Sequence, residues 1–192
     1  MGTPAIKEQK FTYADYLTWE DDERRELIQG IVHDMSPAPY TKHQRILLNL
    51  SVLIKSFLKG KDNEVFIAPF DIRLPDKSSD DDKIYTVVQP DISVFCDRSK
   101  IDKRGAIGAP DWIIEILSRS TQKMDTITKL QLYSQNGVRE YWIVDPDAEM
   151  VLVHAENKDG RFQTVKKYIK KDKIQVNIFS DLIIDGKEVF TE

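Results

Sequence analysis

The sequence has a single cysteine, Cys96, which rules out an intrachain disulfide or a multi-cysteine zinc site and fits a reducing compartment. It has no run approaching the roughly 18 consecutive apolar residues of a membrane span. Its N-terminus carries Lys7, Glu8 and Lys10 where a signal peptide would have an apolar stretch, so a soluble, cytoplasmic protein with no membrane partner is expected. Neither charge sign dominates: 28 basic and 32 acidic residues leave a formal net charge of −4. There is no global pull toward nucleic acid, and any such contact must use a local patch. Basic stripes, aromatic single-strand platforms and helix-turn-helix signatures are all missing, so no residue is assigned to base readout. The acidic segment Asp76 to Lys83 lacks the ordered spacing, glycine and terminal glutamate of a calcium loop and reads as a solvated, mobile loop.

What remains is a 192-residue chain, 41% hydrophobic and 31% charged, which suits one globular domain over residues 1–192. Thr12 to Asp15 predicts a short helix running to Trp19, followed by an acidic, solvated exit. Glu26 to Val32, with a central glycine, predicts two short strand pieces or one bent strand, and Pro37 and Pro39 mark a loop. The strongest helical period spans Thr41 to Leu58, with Thr41 and Gln44 spaced as a capping box, Gly60 as a stop, and His43 on the apolar face. Glu64 to Leu74 reads as one strand. Further strands are expected at Ile92 to Phe95, around Glu115, at Glu140 to Val144 and Val151 to His154, and near 162–169 and 174–178. Between them, Ser118 and Ser120-Thr121 offer helix-start chemistry for a helix with the stripe Met124, Ile127, Leu130 and Tyr133, ending near Asn136-Gly137. The whole is an α/β chain without repeats or linkers.

One residue stands out against this pattern. Glu115 lies inside Trp112-Ile113-Ile114-Glu115-Ile116-Leu117, and an unpaired carboxylate in low dielectric costs several kcal/mol unless it is protonated, paired or coordinated. Asp91 opens the neighbouring strand-like segment after Pro90. Two carboxylates on rigid strands are suitable ligands for Mg²⁺, with Mn²⁺ able to substitute, and such an ion can polarise a phosphodiester and help generate hydroxide. Lys129 is the candidate cation for transition-state charge.

Gln89-Pro90-Asp91, Glu115-Ile116-Leu117-Ser118, Ser120-Thr121, Asp125, Lys129, Tyr133, Gly137-Val138, Glu140-Tyr141-Trp142 and Asp145-Pro146 together resemble the Uma-two family of candidate restriction endonucleases. Glu26 to Gly30 and Ser36-Pro37 through His43-Gln44 extend the likeness, which spans about Tyr13 to His154. The resemblance implies the PD-(D/E)XK nuclease superfamily: a restriction-endonuclease-like mixed β-sheet core flanked by helices, with additional β-hairpins. It implies Asp91 and Glu115 as catalytic metal ligands, and Glu26 and His43 as further site residues. The superfamily's lysine two residues after the acid is Leu117 here, so Lys129, or less directly Lys123, takes its place.

Plainer readings stand beside these. Asp91 could cap backbone groups, Glu115 could form a structural ion pair, and Lys129 could pair with Asp125 on an exposed helix face. His43 could be a core histidine, and Glu26 could pair with Arg24 or Arg25. Trp112, Tyr141 and Trp142 read as packing, and Cys96 as a small core residue. The expected function is metal-dependent hydrolysis of DNA phosphodiesters; the alternative is a non-catalytic nuclease-fold module that binds nucleic acid or a protein. A homodimer is expected only by analogy with enzymes that cut both strands.

Overall fold

The computed structural model describes residues 9–21, 23–35, 40–118, 121–156 and 161–191. The expected loop at Pro37 and Pro39 and the helix-start residue Ser120 lie outside them. Among the described residues, fourteen strands form two six-stranded sheets and a two-stranded hairpin.

The central sheet is built on β3 (Glu64–Ile67), β6 (Ile92–Phe95), β9 (Trp112–Ile116), β10 (Glu140–Asp145), β11 (Met150–Glu156) and β12 (Phe162–Ile169). Its order is β12-β11-β10-β9-β6-β3, mixed because β9 and β10 run parallel while the other neighbours are antiparallel. The continuous apolar runs of β6, β9 and β10 follow from burial on both faces. On one face Ile92, Val94, Trp112, Ile114, Ile116, Trp142 and Val144 pack against α2 (Thr41–Leu58) through Ile46, Leu47, Leu50 and Ile54. On the other, Ile113, Tyr141 and Ile143 meet Leu132 and Tyr133 of a shorter helix. Strand alternation puts Glu115 on this second face, one residue from Ile114 and Ile116, which point away.

The second sheet, β2-β1-β5-β4-β8-β7, contains β1 (Arg25–Ile28), β2 (Ile31–Asp34), β4 (Ile72–Arg73), β5 (Val87–Val88), β7 (Ile101–Asp102) and β8 (Gly105–Ile107). The segment from Glu26 to Val32 is a tight hairpin, because Gln29 and Gly30 both take positive φ, +55° and +86°, as a two-residue primed turn requires. The sequence Gln89-Pro90-Asp91 is the crossover from β5 of this sheet to β6 of the central one. Proline suits that place, where no ladder hydrogen bond is needed.

Several expectations require correction. Glu64 to Leu74 is two strands in different sheets, separated at Pro69, which has no N–H to continue a ladder. Thr41 is the first residue of α2; its N-cap is Tyr40, without a side-chain cap, so Thr41 and Gln44 form no capping box. Gly60 does end the helix region with φ +79°. The first helix is only Tyr13–Tyr16, closed at its start by the reciprocal Thr12–Asp15 capping box. Cys96 is half-buried just beyond β6. The Asp76 to Lys83 loop contains a short 3-10 turn, and Arg104 binds Asp81 there.

Candidate active site

Glu115 and the residue before β6 meet across the antiparallel β6/β9 pair. The Asp91 N–H points at Glu115 Oε2 at 3.4 Å, and Asp91 Oδ2 accepts the Ile116 N–H at 2.7 Å. His43, near the start of α2 and 8% exposed, places Nε2 3.2 Å from Asp91 Oδ2. Its buried Nδ1 has no hydrogen-bond partner among the described residues.

The helix facing β9 supplies the cation. It opens with a π-helical stretch, Met124–Lys129, and continues as α3 (Leu130–Gln135). Such wide turns are uncommon and concentrate at functional sites. Asp125, Lys129, Leu132 and Tyr133 point inward, while Ile127 is 52% exposed, so the expected apolar stripe through Ile127 is wrong. Lys129 is not on a solvated face: it is 4% exposed, and its Nζ donates to Glu115 Oε1 at 2.9 Å and Glu26 Oε1 at 3.0 Å, with Asp125 Oδ1 at 3.7 Å. Glu26 comes from β1 of the second sheet and also accepts the Gln89 N–H at 2.8 Å. It pairs with neither Arg24, which binds Gln89, nor Arg25, which binds Asp21 and Asp34. Lys123 is exposed and makes no comparable contact among the described residues.

Glu26, His43, Asp91, Glu115, Asp125 and Lys129 line one cavity of about 380 Å³ that also reaches Arg24, His33, Ser118 and Thr121. The seam between the two sheets therefore gathers Glu26, His43, Asp91, Glu115 and Lys129. Asp125, buried rather than on an exposed helix face, joins them, as does Tyr133, whose hydroxyl donates to Glu115 Oε1 at 3.0 Å.

The charge balance is acidic. Burial drives the Glu115 carboxyl well above its usual range, with the Lys129 ammonium opposing the shift and Asp125, Asp91 and Glu26 adding to it. Asp125 is raised too, by burial against the pull of Lys129. Burial alone would lower Lys129, but Glu115, Glu26 and Asp125 outweigh it and hold the ammonium charged. Tyr133 is raised well above its usual value by burial and by Glu115, so it remains a donor.

Whether a divalent cation fits can be judged from these groups. Among the described residues no group of three His, Cys, Asp or Glu is placed to hold a metal by itself. Mg²⁺ does not need one, since it commonly takes one or two carboxylates and keeps several waters. One ammonium faces Glu26, Asp91, Glu115 and Asp125, and among the described residues the buried Asp125 Oδ1 has no hydrogen-bond partner. An oxygen-rich, electron-rich pocket with an unsatisfied carboxylate oxygen suits a hard cation.

This fold, with paired strand acids at a sheet seam, is that of a nuclease-like α/β protein. A solved structure described as "a putative nuclease belonging to DUF820", from Anabaena variabilis, superposes with a TM-score of 0.74 and 25% identity over 94% of this chain and 98% of that one. An uncharacterized protein of Synechocystis sp. is 27% identical over 177 residues, 91% of this chain and 88% of its own length. Residues 13–185 match Uma2, described as "Putative restriction endonuclease", and the chain belongs to that family. No helix among the described residues is long and apolar enough to cross a membrane.

Proposed function

We propose that this protein is a Mg²⁺- or Mn²⁺-dependent endonuclease that hydrolyses DNA phosphodiester bonds. The observation that carries this reading is the convergence of Asp91, Glu115 and Lys129 in one cavity, the acids on adjacent strands and the lysine reaching them from the facing helix. Asp91 and Glu115 would hold the cation, which supplies Lewis-acid polarisation of the phosphodiester and lowers the pKa of a bound water.

The residues around it have separable tasks. Lys129, held charged by its carboxylates, sets a fixed positive charge where negative charge grows on the phosphoryl oxygens. Glu26 and Tyr133 fix that ammonium and the Glu115 carboxylate in place. His43 orients Asp91 from the α2 side. The same ion cluster would also serve a nuclease fold that binds without cutting, because Lys129 is already engaged by Glu26 and Glu115.

Nicking of supercoiled plasmid in Mg²⁺, Mn²⁺ and chelator separates the two. Cleavage that needs the metal supports the proposal; a folded protein with no cleavage in either metal supports the binding module. One copy carries one such site, so linear product formed without an accumulated nicked intermediate indicates two copies acting together.

Cation binding has its own signature. A ligand that binds only the folded state at about 100 times its Kd adds about 2.7 kcal/mol. For a domain of this size that corresponds to roughly 5–10 °C in Tm. Mn²⁺ is expected to raise Tm by that amount, and more at pH 8 than at pH 6, because protons compete with the cation for Glu115 and Asp125, whose carboxyls burial shifts upward. A Tm insensitive to Mn²⁺ at both values counts against the site.

A further inference from the structure

A phosphodiester entering this cavity meets an electrostatic obstacle. Glu26, Asp91, Glu115 and Asp125 all line it, and the Lys129 ammonium is committed to carboxylates. A divalent cation held by Asp91 and Glu115 would reverse only part of that field. The anionic substrate needs a second positive group nearer the mouth.

Arg24 meets that description. It lines the same cavity, is exposed to solvent, and lies two residues before Glu26, hence on the same side of the chain as it enters β1. Its Nε and Nη2 both donate to one neutral acceptor, Gln89 Oε1, at 3.1 and 2.9 Å. No carboxylate among the described residues lies within ion-pairing range of it, whereas Arg25 next to it is shared between Asp21 and Asp34. Its Nη1 has no partner among the described residues. An uncompensated guanidinium facing an acidic cavity would ordinarily swing toward the nearest carboxylate; here an amide holds it back.

That amide is itself fixed from three sides. Gln89 Nε2 donates to Asp71 Oδ1 at 2.9 Å and to Tyr16 Oη at 3.0 Å, while its backbone N–H donates to Glu26 Oε1. Burial, with Asp71 alongside, pushes the Tyr16 hydroxyl up to about 12, so it stays neutral and in place. Asp71 is in turn set by β8, where Gly105 comes so close that a Cβ would lie 2.1 Å from the Asp71 carbonyl oxygen. Gln89 also begins the crossover between the sheets, so one short segment presents both the arginine holder and the metal-ligand candidate Asp91.

We propose that Arg24 is the phosphate-binding arm of the site, donating through Nη1 and Nη2 to a non-bridging oxygen of a DNA phosphodiester at the cavity mouth, with Gln89 as its positioning residue. The proposal rests on the nuclease reading. Guanidinium is the suitable group because its planar fork can keep Gln89 on one edge and meet phosphate with the other, which an ammonium cannot do.

The test is fluorescence anisotropy of a labelled 20-base-pair duplex, with Ca²⁺ and with chelator, over a range of salt. Arg24→Ala is expected to weaken binding about tenfold and to lower the slope of log Kd against log salt by about one, the loss of a single phosphate contact. Arg24→Lys should keep the slope with several-fold weaker binding, since it keeps charge and loses the fork. Gln89→Leu should do the same, with Arg24 present but unheld. Arg24 is exposed, so its variants are expected to keep the wild-type Tm. Unchanged affinity and slope in Arg24→Ala, with wild type binding duplex, overturns this proposal alone. Wild type binding no duplex in either condition overturns the nuclease reading, and this inference with it.

Discussion

Replacing Lys129 with methionine is expected to destabilise the protein by about 3–5 kcal/mol at pH 8 in the presence of chelator, the usual cost of stranding a buried charge by deleting its partner. Methionine fills most of the lysine's volume, so the loss is electrostatic: Glu26, Glu115 and Asp125 would face one another across a site from which the ammonium has gone. The pH dependence follows from the carboxyl shifts. Glu115 and Asp125 already have folded-state values above their ordinary ones, so between those limits the folded protein binds more protons than the unfolded chain and stability falls as pH rises. Removing the ammonium widens that window upward. The variant should therefore regain most of its stability as pH falls from 8 toward the ordinary carboxylate range near 4 to 5. Urea unfolding at several pH values measures this, and a variant as stable as wild type at pH 8 would show that Lys129 carries no such role. Nicking should fall about 10² to 10³-fold, the loss typical of one fixed transition-state donor.

Asp91→Asn should have the opposite profile, with little change in stability and a large change in activity. Asparagine keeps the shape and one carbonyl oxygen to accept the Ile116 N–H, and Asp91 is only partly buried. It loses the negative charge that would hold a divalent cation, so nicking is expected to fall at least about 10³-fold, equivalent to about 4 kcal/mol of barrier. The Mn²⁺-dependent rise in Tm should disappear with it. Retained Mn²⁺ stabilisation without cleavage would move the cation to Glu115 and Asp125 and leave Asp91 as the orienting partner of His43.

How much of this could be read from the chain varies with the range of the interaction. Asp91 and Glu115 were legible because an acid in an Ile-rich strand violates a local rule, and strand alternation then fixes its face. The placement of Lys129 was not. An i, i+4 partner of Asp125 ordinarily marks a solvated face, and the spacing of Ile127 places it on the apolar side; both inferences fail because the π-helical opening turns the charged pair inward. Glu26 was visible as a motif residue, but its partner lies 103 positions away, beyond the reach of any local pattern. The second sheet was hidden for a similar reason: its strands β4 and β5 are two residues long and are held by pairing rather than by their own propensity. Arg24 entered the sequence reading only as a possible partner of Glu26, since what distinguishes it is the absence of an acidic partner among the described residues.

The site's place at the seam between two sheets also has a kinetic side. Contacts that join distant parts of a chain are slow to form, because loop closure must precede any gain from the contact. The pair formed by Glu26 and Lys129 joins the two sheets across 103 positions, whereas Trp112 and Trp142 pack on each other from the neighbouring strands β9 and β10 of one sheet. Refolding is therefore expected to restore tryptophan fluorescence before nicking, and simultaneous recovery would place the seam within the folding nucleus. A chain still emerging from the ribosome carries Glu26, Asp91 and Glu115 before it carries the lysine that pairs with Glu26 and Glu115, so the proposed site cannot assemble until residue 129 has been made.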